Sequence, residues 1–456
     1  MPIATRRPSL ARFGAAMLGA CAATTAAAQE AAAPRSDSVV ITGPRVEQRR
    51  FDVPAAVDVV DGETLRSQQL RVNLSEGLAR VPGLVAQNRQ NYAQDLQVSS
   101  RGFGARAAFG VRGVRLIQDG IPLTMPDGQG QTATFDLDGA GRVEVLRGPF
   151  AALYGNASGG VVQLITEDAP ARPTIGLSTF AGSFGSWRAG LRFGASSGAF
   201  SGTGNLSRFS TDGYRDHSAA VRDSANIKLG WKFDDDASLT LIGNWLDQPD
   251  TQDPLGLTQE QLDADRRQAG TRAKLYDTSK SIDHSQLGLV YKRRFGAAGT
   301  LELLGYSGQR RIVQRLSIPV TAQGITSSGG IVDLDRDFDG LGLHWKHAGS
   351  NYNLSFGLDL DRMRERRRGY VNDESVQGAL RRDEVDRVRN TDQFVIADWR
   401  LAEGWKLAGG VRHSSVRFSS DDRFIVGPNP DDSGSASYSA TLPVIGLLFE
   451  ASQIGR

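Results

Sequence analysis

Residues 142–166, RVEVLRGPFAALYGNASGGVVQLIT, carry the strongest structural signal in the chain. The two ends of this stretch are rich in apolar and β-branched residues, and they predict two strands, residues 142–146 and 160–165. Both strands alternate only weakly between polar and apolar residues, which is typical of a sheet that is buried on both faces. Gly148-Pro149 and Gly159-Gly160 lie between them, where the backbone can approach its neighbours closely.

The flanking residues extend this stretch into a mixed α/β domain that we place at residues 53–168. Asp61-Gly62-Glu63 predicts the start of a short helix. Asn73 and Glu76 have the spacing of a capping box and predict a second helix, which ends at Pro82-Gly83. Further strands are expected at residues 56–60, 96–99 and 114–117, with a hairpin turn at Asp119-Gly120.

From about Thr174 the pattern changes to segments in which apolar and polar side chains alternate. Leu354, Phe356, Leu358 and Leu360 form one such series, separated by Ser, Gly and Asp. Alternation of this kind places one face of a strand in lipid or in a core and the other face in water. About twelve strands of this type can be placed in residues 174–456.

The connections between these strands alternate in length. Short ones are expected near residues 196–198, 234–236, 296–299, 348–351 and 402–404, and long polar ones near residues 212–222, 247–280, 312–335, 364–386 and 419–437. Tight turns at one end of a sheet and long loops at the other are typical of outer-membrane β-barrels. A soluble β-sandwich is the alternative, but it would show this alternation only by coincidence.

The first 28 residues have the features of a secretory signal peptide. Three arginines precede an apolar, Ala-rich segment, residues 13–28, whose last three residues fit an A-x-A cleavage site. The segment is too short to be a good membrane-spanning helix, which needs about 20 apolar residues. Cys21, the one cysteine, lies in a Leu-Gly-Ala-Cys sequence that resembles a lipoprotein cleavage box, so lipidation is the alternative. Removal of the segment would leave no thiol nucleophile and no cysteine-based zinc site.

Composition and the remaining motifs do not indicate an enzyme or a nucleic-acid-binding protein. Lys and Arg number 53 and Asp and Glu 51, whereas nucleic-acid-binding proteins carry a dense basic face. Residues 102–107 fit G-x-G-x-x-A, but Gly110 and Gly113 interrupt the helix that a dinucleotide site requires. His344 and His347 are three apart on a predicted strand, so their rings point to opposite faces. We therefore expect no catalytic residue, no metal site and no cofactor.

Four motifs in the first half of the chain together resemble the plug domain of TonB-dependent outer-membrane receptors. Residues 74–84 are similar to the family's L…L…PGV helix, residues 100–104 to its IRG strand end, residues 114–122 to its VLVDGVP hairpin, and residues 142–162 to its IEVLRGP…LYG…GGVINIIT segment. Four matches in the family's order are specific, although each is weak alone. The resemblance implies a mixed α/β plug domain followed by an antiparallel transmembrane β-barrel of about 22 strands.

The resemblance also assigns structural roles to particular plug residues. Glu144 and Arg147 are charges in a compact sheet and need partners, which we expect to be carboxylates of the barrel lumen or each other. The plug residues that match the family's motifs are Arg101, Gly102, Asp119, Gly120, Glu144, Arg147, Gly148, Pro149, Tyr154 and Gly155.

Residues 29–52 are expected to form a periplasmic linker that contains a second recognisable segment, residues 37–43. This run is apolar and β-prone with no evident local partner, and residues 45–51 after it read as linker. In the family, such a segment pairs with TonB, and an extended tethered strand can add to a partner's sheet edge. The alternative is a plain linker with incidental β propensity. The residues that resemble the family's TonB box are Asp37, Ser38, Val39, Val40, Ile41, Thr42 and Gly43.

In the family, outward plug loops meet the substrate together with barrel loops. The corresponding loops here are residues 88–94, 103–109 and 124–131, and they contain the candidate ligand residues Arg89, Tyr92, Arg106, Asp127, Gln129 and Gln131. Arg and Gln suit an anionic or oxygen-rich ferric chelate, although each could also be a solvated loop residue. A basic stretch is expected outside the membrane, where it could steer anions, bind lipopolysaccharide phosphates or remain solvated. Its members are Arg362, Arg364, Arg366, Arg367 and Arg368.

The chain departs from the family in its number of strands. A sheet of about twelve strands cannot close around a plug, because its lumen would be too narrow, and open edges in lipid leave backbone groups unpaired. The chain also ends soon after the apolar run 442–449, without the terminal aromatic residue usual in the family. We therefore expect a fragment with a complete plug and a partial barrel, residues 174–456, that has exposed edges.

Together these features predict TonB-dependent active uptake of a metal chelate across the outer membrane of a Gram-negative bacterium, with outer-membrane lipids around the barrel. The expected ligand is an extracellular ferric siderophore. Receptors for cobalamin, copper and other scarce nutrients share the plug motifs, so these ligands are alternatives, and a truncated, non-transporting product is another. A signalling receptor would carry a further domain of about eighty residues before the TonB box, and only a short segment precedes it here.

Overall fold

The computed structural model describes residues 53–450, apart from residues 68 and 108–109, together with the backbone of residues 40–41 and 48–49. The predicted signal peptide, residues 1–28, lies outside the described residues. In the described part, a plug with a mixed five-stranded sheet is followed by a twelve-stranded sheet. None of the helices in this part is long and apolar enough to cross a membrane.

The candidate TonB box contributes a short strand near the N-terminus. Strands β1 (Val40–Ile41) and β2 (Gln48–Arg49) pair antiparallel, with Val40 opposite Arg49. The expectations that this run has no local partner and that residues 45–51 are all linker are therefore wrong at these positions. A two-stranded ladder of this size is marginally stable and opens at little cost. The other members of the box, Asp37, Ser38, Val39, Thr42 and Gly43, lie outside the described residues.

The plug is built on a mixed sheet that is covered on both faces. Val143 and Val145 point into one core cluster, with Leu65, and Leu146 points into another, with Tyr154. This two-sided burial explains why strands in residues 142–166 show little alternation. The plug strands are β3 (Ala56–Asp61), β4 (Leu84–Gln87), β5 (Gln97–Ser100), β6 (Val114–Gln118), β7 (Ile121–Pro122), β8 (Ala140–Arg147) and β9 (Gly160–Thr166). The main sheet has the order β3-β8-β9-β6-β7, in which only β6 and β9 are parallel, and β4 pairs with β5 separately.

Two short helices precede β4, and one of them begins differently from the prediction. Helix α1 (Gly62–Arg66) is capped by Asp61, whose Oδ1 accepts a hydrogen bond from the Thr64 amide at 2.7 Å. Helix α2 (Ser75–Leu78) has no side-chain cap, so the prediction of Asn73 as its capping residue is wrong. The Glu76 carboxylate instead accepts hydrogen bonds from three preceding backbone amides, that of Asn73 among them at 2.8 Å. One half of the predicted capping box is therefore present.

The predicted hairpin turn joins β6 to β7. Asp119 and Gly120 both have positive φ, 49° and 87°, which two-residue hairpins of the primed types require. The Asp119 carboxylate accepts a hydrogen bond from the Thr166 amide at 3.0 Å, and Lys228 Nζ lies 3.4 Å from the same oxygen. The turn thus connects the β6–β7 hairpin with strand β9 of the plug and with strand β13 (Ala220–Lys232) of the second sheet.

The second half of the chain forms one antiparallel sheet in which every strand pairs with its neighbours in chain order. Twelve strands confirm the expected number. Within the described residues the first and last strands do not pair with each other, so the sheet keeps two free edges, as expected for an incomplete barrel. Its strands are β10 (Thr174–Ala181), β11 (Trp187–Ser197), β12 (Phe200–Thr211), β13 (Ala220–Lys232), β14 (Ala237–Gln252), β15 (Ser279–Arg294), β16 (Thr300–Arg315), β17 (Ile331–Ala348), β18 (Tyr352–Asp373), β19 (Val376–Ala402), β20 (Trp405–Asp422) and β21 (Gly434–Phe449).

The connections between neighbouring strands are short at one end of the sheet, which we call the turn end, and mostly long at the other, which we call the loop end. The turn end has the five short connections that were predicted. The loop end has long connections at residues 212–219, 253–278, 316–330 and 423–433, of which 253–278 contains helices α3 (Gln259–Ala264) and α4 (Thr271–Leu275).

One of the five predicted loops, residues 364–386, is not a loop in the structure. Strands β18 and β19 continue through it and meet at a two-residue turn, Glu374-Ser375, where both residues have positive φ. Opposite charges on neighbouring strands hold this extension together, as in the contact of 3.1 Å between Arg366 Nη2 and Asp383 Oδ2. The prediction failed because these strands are polar on both faces and lack the apolar alternation that identified the others.

The sheet wraps around the plug. Five strands of the sheet, from β11 to β20, each contribute a side chain that makes a polar contact with the plug. The contacts are Arg188 with Asp138, Asn205 Nδ2 with Asp136 Oδ2 at 2.6 Å, Lys280 Nζ with Asp95 Oδ1 at 2.6 Å, Arg336 Nη1 with Gln129 Oε1 at 2.9 Å, and Arg412 Nη1 with the Leu153 carbonyl at 2.6 Å. Because these strands span most of the sheet, the plug is held on several sides at once.

The partners of the two charges in β8 differ from the prediction. Arg147 contacts the Asp58 carboxylate and the Pro82 carbonyl, both in the plug. Glu144 Oε1 accepts a hydrogen bond from Arg142 Nε at 2.7 Å. Neither of these contacts involves a carboxylate of the barrel, and the two residues are not shown to pair with each other. The plug sheet therefore neutralises these charges with its own residues.

One plug carboxyl has an unusual charge state. Asp136 is buried beside Asp138, and burial together with that second carboxylate raises the pKa of Asp136 from 3.8 to about 7. Hydrogen bonds from the Gly139 amide and Asn205 oppose the shift only in part. Asn205 in turn accepts a hydrogen bond from Asn226, and Asn226 one from Asn244, so Asp136 ends an amide ladder that crosses three strands.

We predict that Gly120→Ala destabilises the folded protein by about 1 kcal/mol, because an L side chain is strained at positive φ. The nearest atom to an added Cβ would be Leu304 Cδ1 at 3.7 Å, so the effect comes from the backbone and not from a clash. Thermal unfolding in detergent measures it. Gly256→Ala is the control, since its added Cβ meets nothing within 4 Å; equal shifts in the two variants would contradict the prediction.

We predict that Asp136→Asn changes the pH dependence of stability. The folded-state pKa is above the unfolded value, so the contribution of Asp136 is fully present below about pH 4 and is lost as the pH rises through about 7. The variant cannot ionise, and its unfolding midpoint should fall less than that of the wild type across this interval. Asp235→Asn, at an exposed turn position, is the control and should keep the wild-type slope.

Candidate functional site

A cavity of about 880 Å³ lies between the plug and the sheet toward the loop end. Three plug segments form its inner wall, and the ends of β15 to β21 form its outer wall. Six basic and four acidic side chains line it, which is a net charge of +2. The basic residues are Arg106, Arg112, Lys280, Arg336, Arg367 and Arg387, and the acidic ones are Asp95, Asp127, Glu365 and Asp386.

The cavity brings together four of the six candidate ligand residues, Arg106, Asp127, Gln129 and Gln131. Arg89 is exposed and does not line it. Tyr92 is also elsewhere: its ring centroid lies 5.0 Å from that of Phe209, and its carbonyl accepts a hydrogen bond from a side chain of β14. Contact of the first four residues with a ligand stays a prediction, whereas Tyr92 packs the plug against the sheet.

Much of the charge around the cavity is already paired. Arg336 contacts Glu365 and also donates to Gln129 Oε1 at 2.9 Å. Arg112 Nη2 lies 3.7 Å from Asp127 Oδ2. The paired groups form a rigid polar floor that has little net charge.

Asp95 and Lys280 are a further pair in this floor. Asp95 also accepts a hydrogen bond from the Gly110 amide at 2.9 Å. Burial disfavours the charged form of Asp95, but the ammonium of Lys280 outweighs it, so the pKa of Asp95 lies below its usual value. The carboxylate is therefore ionised and neutralised by its neighbour.

Three arginines and one amide oxygen are left to meet a ligand. Arg106, Arg367 and Arg387 line the cavity, and none of them forms an ion pair within the part of the chain that the structure describes. Gln131 is 4% exposed, and its Oε1 has no hydrogen-bond partner among these residues. A buried acceptor without a partner is costly, and a ligand that donates a hydrogen bond would satisfy it.

The outer wall of the cavity adds an apolar surface. Ile312, Leu334, Met363, Val388 and Phe418 all line it. The cavity can therefore hold a ligand that has an anionic edge and an apolar body, in the size range of small-molecule sites. Within the described residues, no group of three or more His, Cys, Asp or Glu side chains is arranged to hold a metal ion.

A long connection, residues 253–278, is bonded to the plug. Asp253 Oδ1 accepts a hydrogen bond from Asn91 Nδ2 at 2.7 Å, and its other oxygen contacts Gln94. Arg215 donates to three carbonyls of residues 254–268 and so joins the two neighbouring loops. Sequence reasoning missed these residues and the barrel residues of the cavity other than Arg367, because only strand pairing brings them beside the plug. Arg367 was predicted to lie in a basic stretch outside the membrane, whereas it lines the cavity.

A second cavity of about 880 Å³ lies toward the turn end of the same strands. His344 occupies its wall, with its two ring nitrogens 3.2 Å from Glu302 and 2.7 Å from Asp359. An apolar cluster that includes Ile121 and Met125 of the plug separates the two cavities. The plug therefore divides the interior into a chamber at each end.

Comparison with known proteins identifies the two halves of the chain. Residues 49–161 match the family model of the TonB-dependent receptor plug domain, and residues 166–453 match that of the TonB-dependent receptor-like β-barrel. Among solved structures, the unliganded ferric citrate transporter FecA superposes with a TM-score of 0.75 at 20% identity, over 88% of this chain and 61% of that chain.

Two curated relatives are similar over part of the chain. The hemin receptor of Yersinia pestis is 33% identical over 136 residues, which are 29% of this chain and 19% of the relative. The vitamin B12 transporter BtuB of Photobacterium profundum is 31% identical over 157 residues, which are 34% of this chain and 25% of the relative. The matched segments thus span a quarter or less of these relatives.

The plug motifs, the sheet that encloses the plug and the two family matches agree along nearly the whole described chain. The four ordered motifs of the sequence fall on elements of the plug, namely helix α2, the end of β5, the β6–β7 hairpin and the strands β8 and β9. The chain belongs to the TonB-dependent receptor family, a family of outer-membrane β-barrel receptors.

Proposed function

We propose that the protein takes up a metal chelate across the outer membrane of a Gram-negative bacterium by TonB-dependent active transport, with a ferric siderophore as its ligand. The observation that carries this proposal is the cavity at the loop end, which plug and barrel residues line together. Its free guanidinium groups and apolar wall suit a chelate whose acidic oxygens are exposed.

The proposal gives the sheet an orientation. Long connections face outward and tight turns face the periplasm in outer-membrane barrels, so the cavity would open to the outside. A ligand that enters from the medium would meet Arg106 and Arg367 first and then the paired floor below them.

The proposed ligand class rests on the chemistry of the cavity and on the names of similar proteins. Those names refer to ferric citrate, hemin and vitamin B12, and each of these is a metal complex. The relatives therefore support metal complexes in general, and the net positive charge of the cavity favours an anionic one. Cobalamin, copper and other metal chelates remain the alternative ligands.

Coupling to TonB would use the segment around Val40. In the structure its backbone pairs with Gln48–Arg49, but a two-stranded ladder is easily opened. The freed strand could then add to the edge of a TonB sheet.

A second candidate is a product that binds its ligand without transporting it. Uptake measurements separate the two functions, since only the first requires energy from TonB.

We predict that Arg106→Gln weakens binding of an anionic chelate about tenfold, which corresponds to the loss of one charge-assisted hydrogen bond. Ferric citrate, hemin and vitamin B12 are each titrated against the purified protein, and the variant is tested with those that bind. Arg89→Gln removes the same charge from an exposed residue outside the cavity and should leave the affinity unchanged. Equal affinity of the two variants would remove Arg106 from the site.

We predict that Val40→Pro abolishes uptake of radiolabelled ferric chelate by whole cells and leaves binding intact, because proline cannot donate to a partner strand. Arg49→Pro is the matched control: it also disturbs the pairing of β1 with β2 but leaves residues 37–43 unchanged. Uptake should persist in the control. Wild-type uptake by Val40→Pro would mean that this segment is not the TonB box.

A further inference from the structure

The outward face of three adjacent strands carries a row of arginines. Arg362 of β18 lies directly opposite Arg389 of β19, and Arg389 lies directly opposite Arg417 of β20. One step toward the loop end, Arg364 also lies on β18. We call Arg362, Arg364, Arg389 and Arg417 the arginine patch. Side chains that face each other in this way have Cβ atoms about 5 Å apart.

Burial shows that the patch faces away from the plug. Asp361, Met363 and Glu365 are buried against the interior, whereas Arg362 and Arg364 between them are exposed. Asp392 and Phe394 likewise face inward on β19, and Arg389, which is exposed, falls on the outward side. Arg387 is half-buried and lines the interior cavity, so it is not part of the patch.

One arginine of the patch has an acidic partner within the described residues. Arg362 pairs with Asp339 of β17, at 2.7 Å between Nη2 and Oδ2. The other three form no ion pair within this part of the chain. Asp337, opposite Arg364, accepts a hydrogen bond from Gln309 instead. On the other side, Arg417 lies opposite Ser437, which carries no charge.

Like charges placed directly opposite each other on a sheet are destabilising. An anion that lies between the three guanidinium groups of the row would relieve their mutual repulsion. The planar guanidinium group binds phosphate with two parallel hydrogen bonds, which makes arginine the residue best suited to such an anion.

The patch also lies at the boundary of the apolar surface of the sheet. One step toward the turn end, the outward residues are Leu341 and Leu360, which face each other, followed by Leu343 opposite Leu358. Leu341 and Leu343 are 63% and 46% exposed, as expected for side chains that face lipid. An anion at the patch would therefore sit at the level of lipid headgroups, with acyl chains along the leucines.

We propose that the arginine patch is a binding site for the phosphate groups of the lipopolysaccharide of the outer leaflet. The site takes phosphomonoesters of the glycolipid headgroup between Arg362, Arg389 and Arg417, and Arg364 contacts them from the loop side. This site rests on the outer-membrane placement proposed above but not on transport or on the ligand of the cavity.

The arginine patch contains other residues than the basic stretch at positions 362–368 that the sequence analysis singled out. Arg366 and Arg368 of that stretch pair with Asp383 and Asp333, and Arg367 lines the interior cavity. Only Arg362 and Arg364 belong to the patch.

The test uses the full chain, purified in detergent and placed in phosphatidylcholine nanodiscs that contain either lipid A or phosphatidylglycerol with the same amount of phosphate. Native mass spectrometry counts the lipids that stay bound. The patch variant combines Arg364→Gln, Arg389→Gln and Arg417→Gln. The control combines Arg208→Gln, Arg293→Gln and Arg294→Gln, which removes the same charge from solvent-accessible arginines that pair with aspartates.

The wild type and the control are expected to retain lipid A, and the patch variant to retain it about tenfold less. Equal retention by the patch variant and the control would overturn the proposal, and so would equal retention of phosphatidylglycerol and lipid A by the wild type. If the patch variant does not fold, the single variant Arg389→Gln is measured against Arg208→Gln with the same expectation. Because no transport is measured, failure here leaves the uptake proposal intact, and failure of uptake leaves this site intact.

Discussion

Charged and polar groups buried between the plug and the sheet must find partners, and this constraint shapes the whole molecule. An unpaired charge in such a place is far more costly than one in water. Some charged residues of the plug pair with other plug residues, as Arg147 does with Asp58. Others pair with residues of the sheet, as Asp95 does with Lys280. Asp136 meets the constraint in a third way, because its raised pKa lets it take up a proton. Polar contacts thus hold the plug without a continuous apolar interface.

The cavity at the loop end is one place where this pairing is left incomplete. Arg106, Arg367 and Arg387 line it without ion pairs in the described chain, and the buried Gln131 oxygen has no hydrogen-bond donor there. Paired residues surround these groups, and a site that is ordered before binding has a lower entropic cost of binding. Paired charges thus position the plug, and the unpaired groups are the ones that we propose for the ligand.

The two-residue repeat of a strand lets one segment serve two environments. On β18, Met363 and Glu365 contribute to the interior, while Arg362 and Arg364 face outward beside a surface of exposed leucines. A shift of pairing by one residue would exchange these faces, so the register of β18 against β17 and β19 decides both the cavity and the arginine patch.

Local and repeated features were determined by the sequence alone. The Asp119-Gly120 hairpin, the central strands β8 and β9 and the count of twelve barrel strands follow from turn chemistry and from side-chain periodicity, which act over a few residues. The same periodicity missed the polar extension of β18 and β19, because strands that are polar on both faces show no alternation. Only the tertiary structure decided the partners of the charges, the set of residues around the cavity and the row of Arg362, Arg389 and Arg417. Asp95 and Lys280 are 185 positions apart, and no local pattern relates such residues, since the pairing of strands around the plug brings them together.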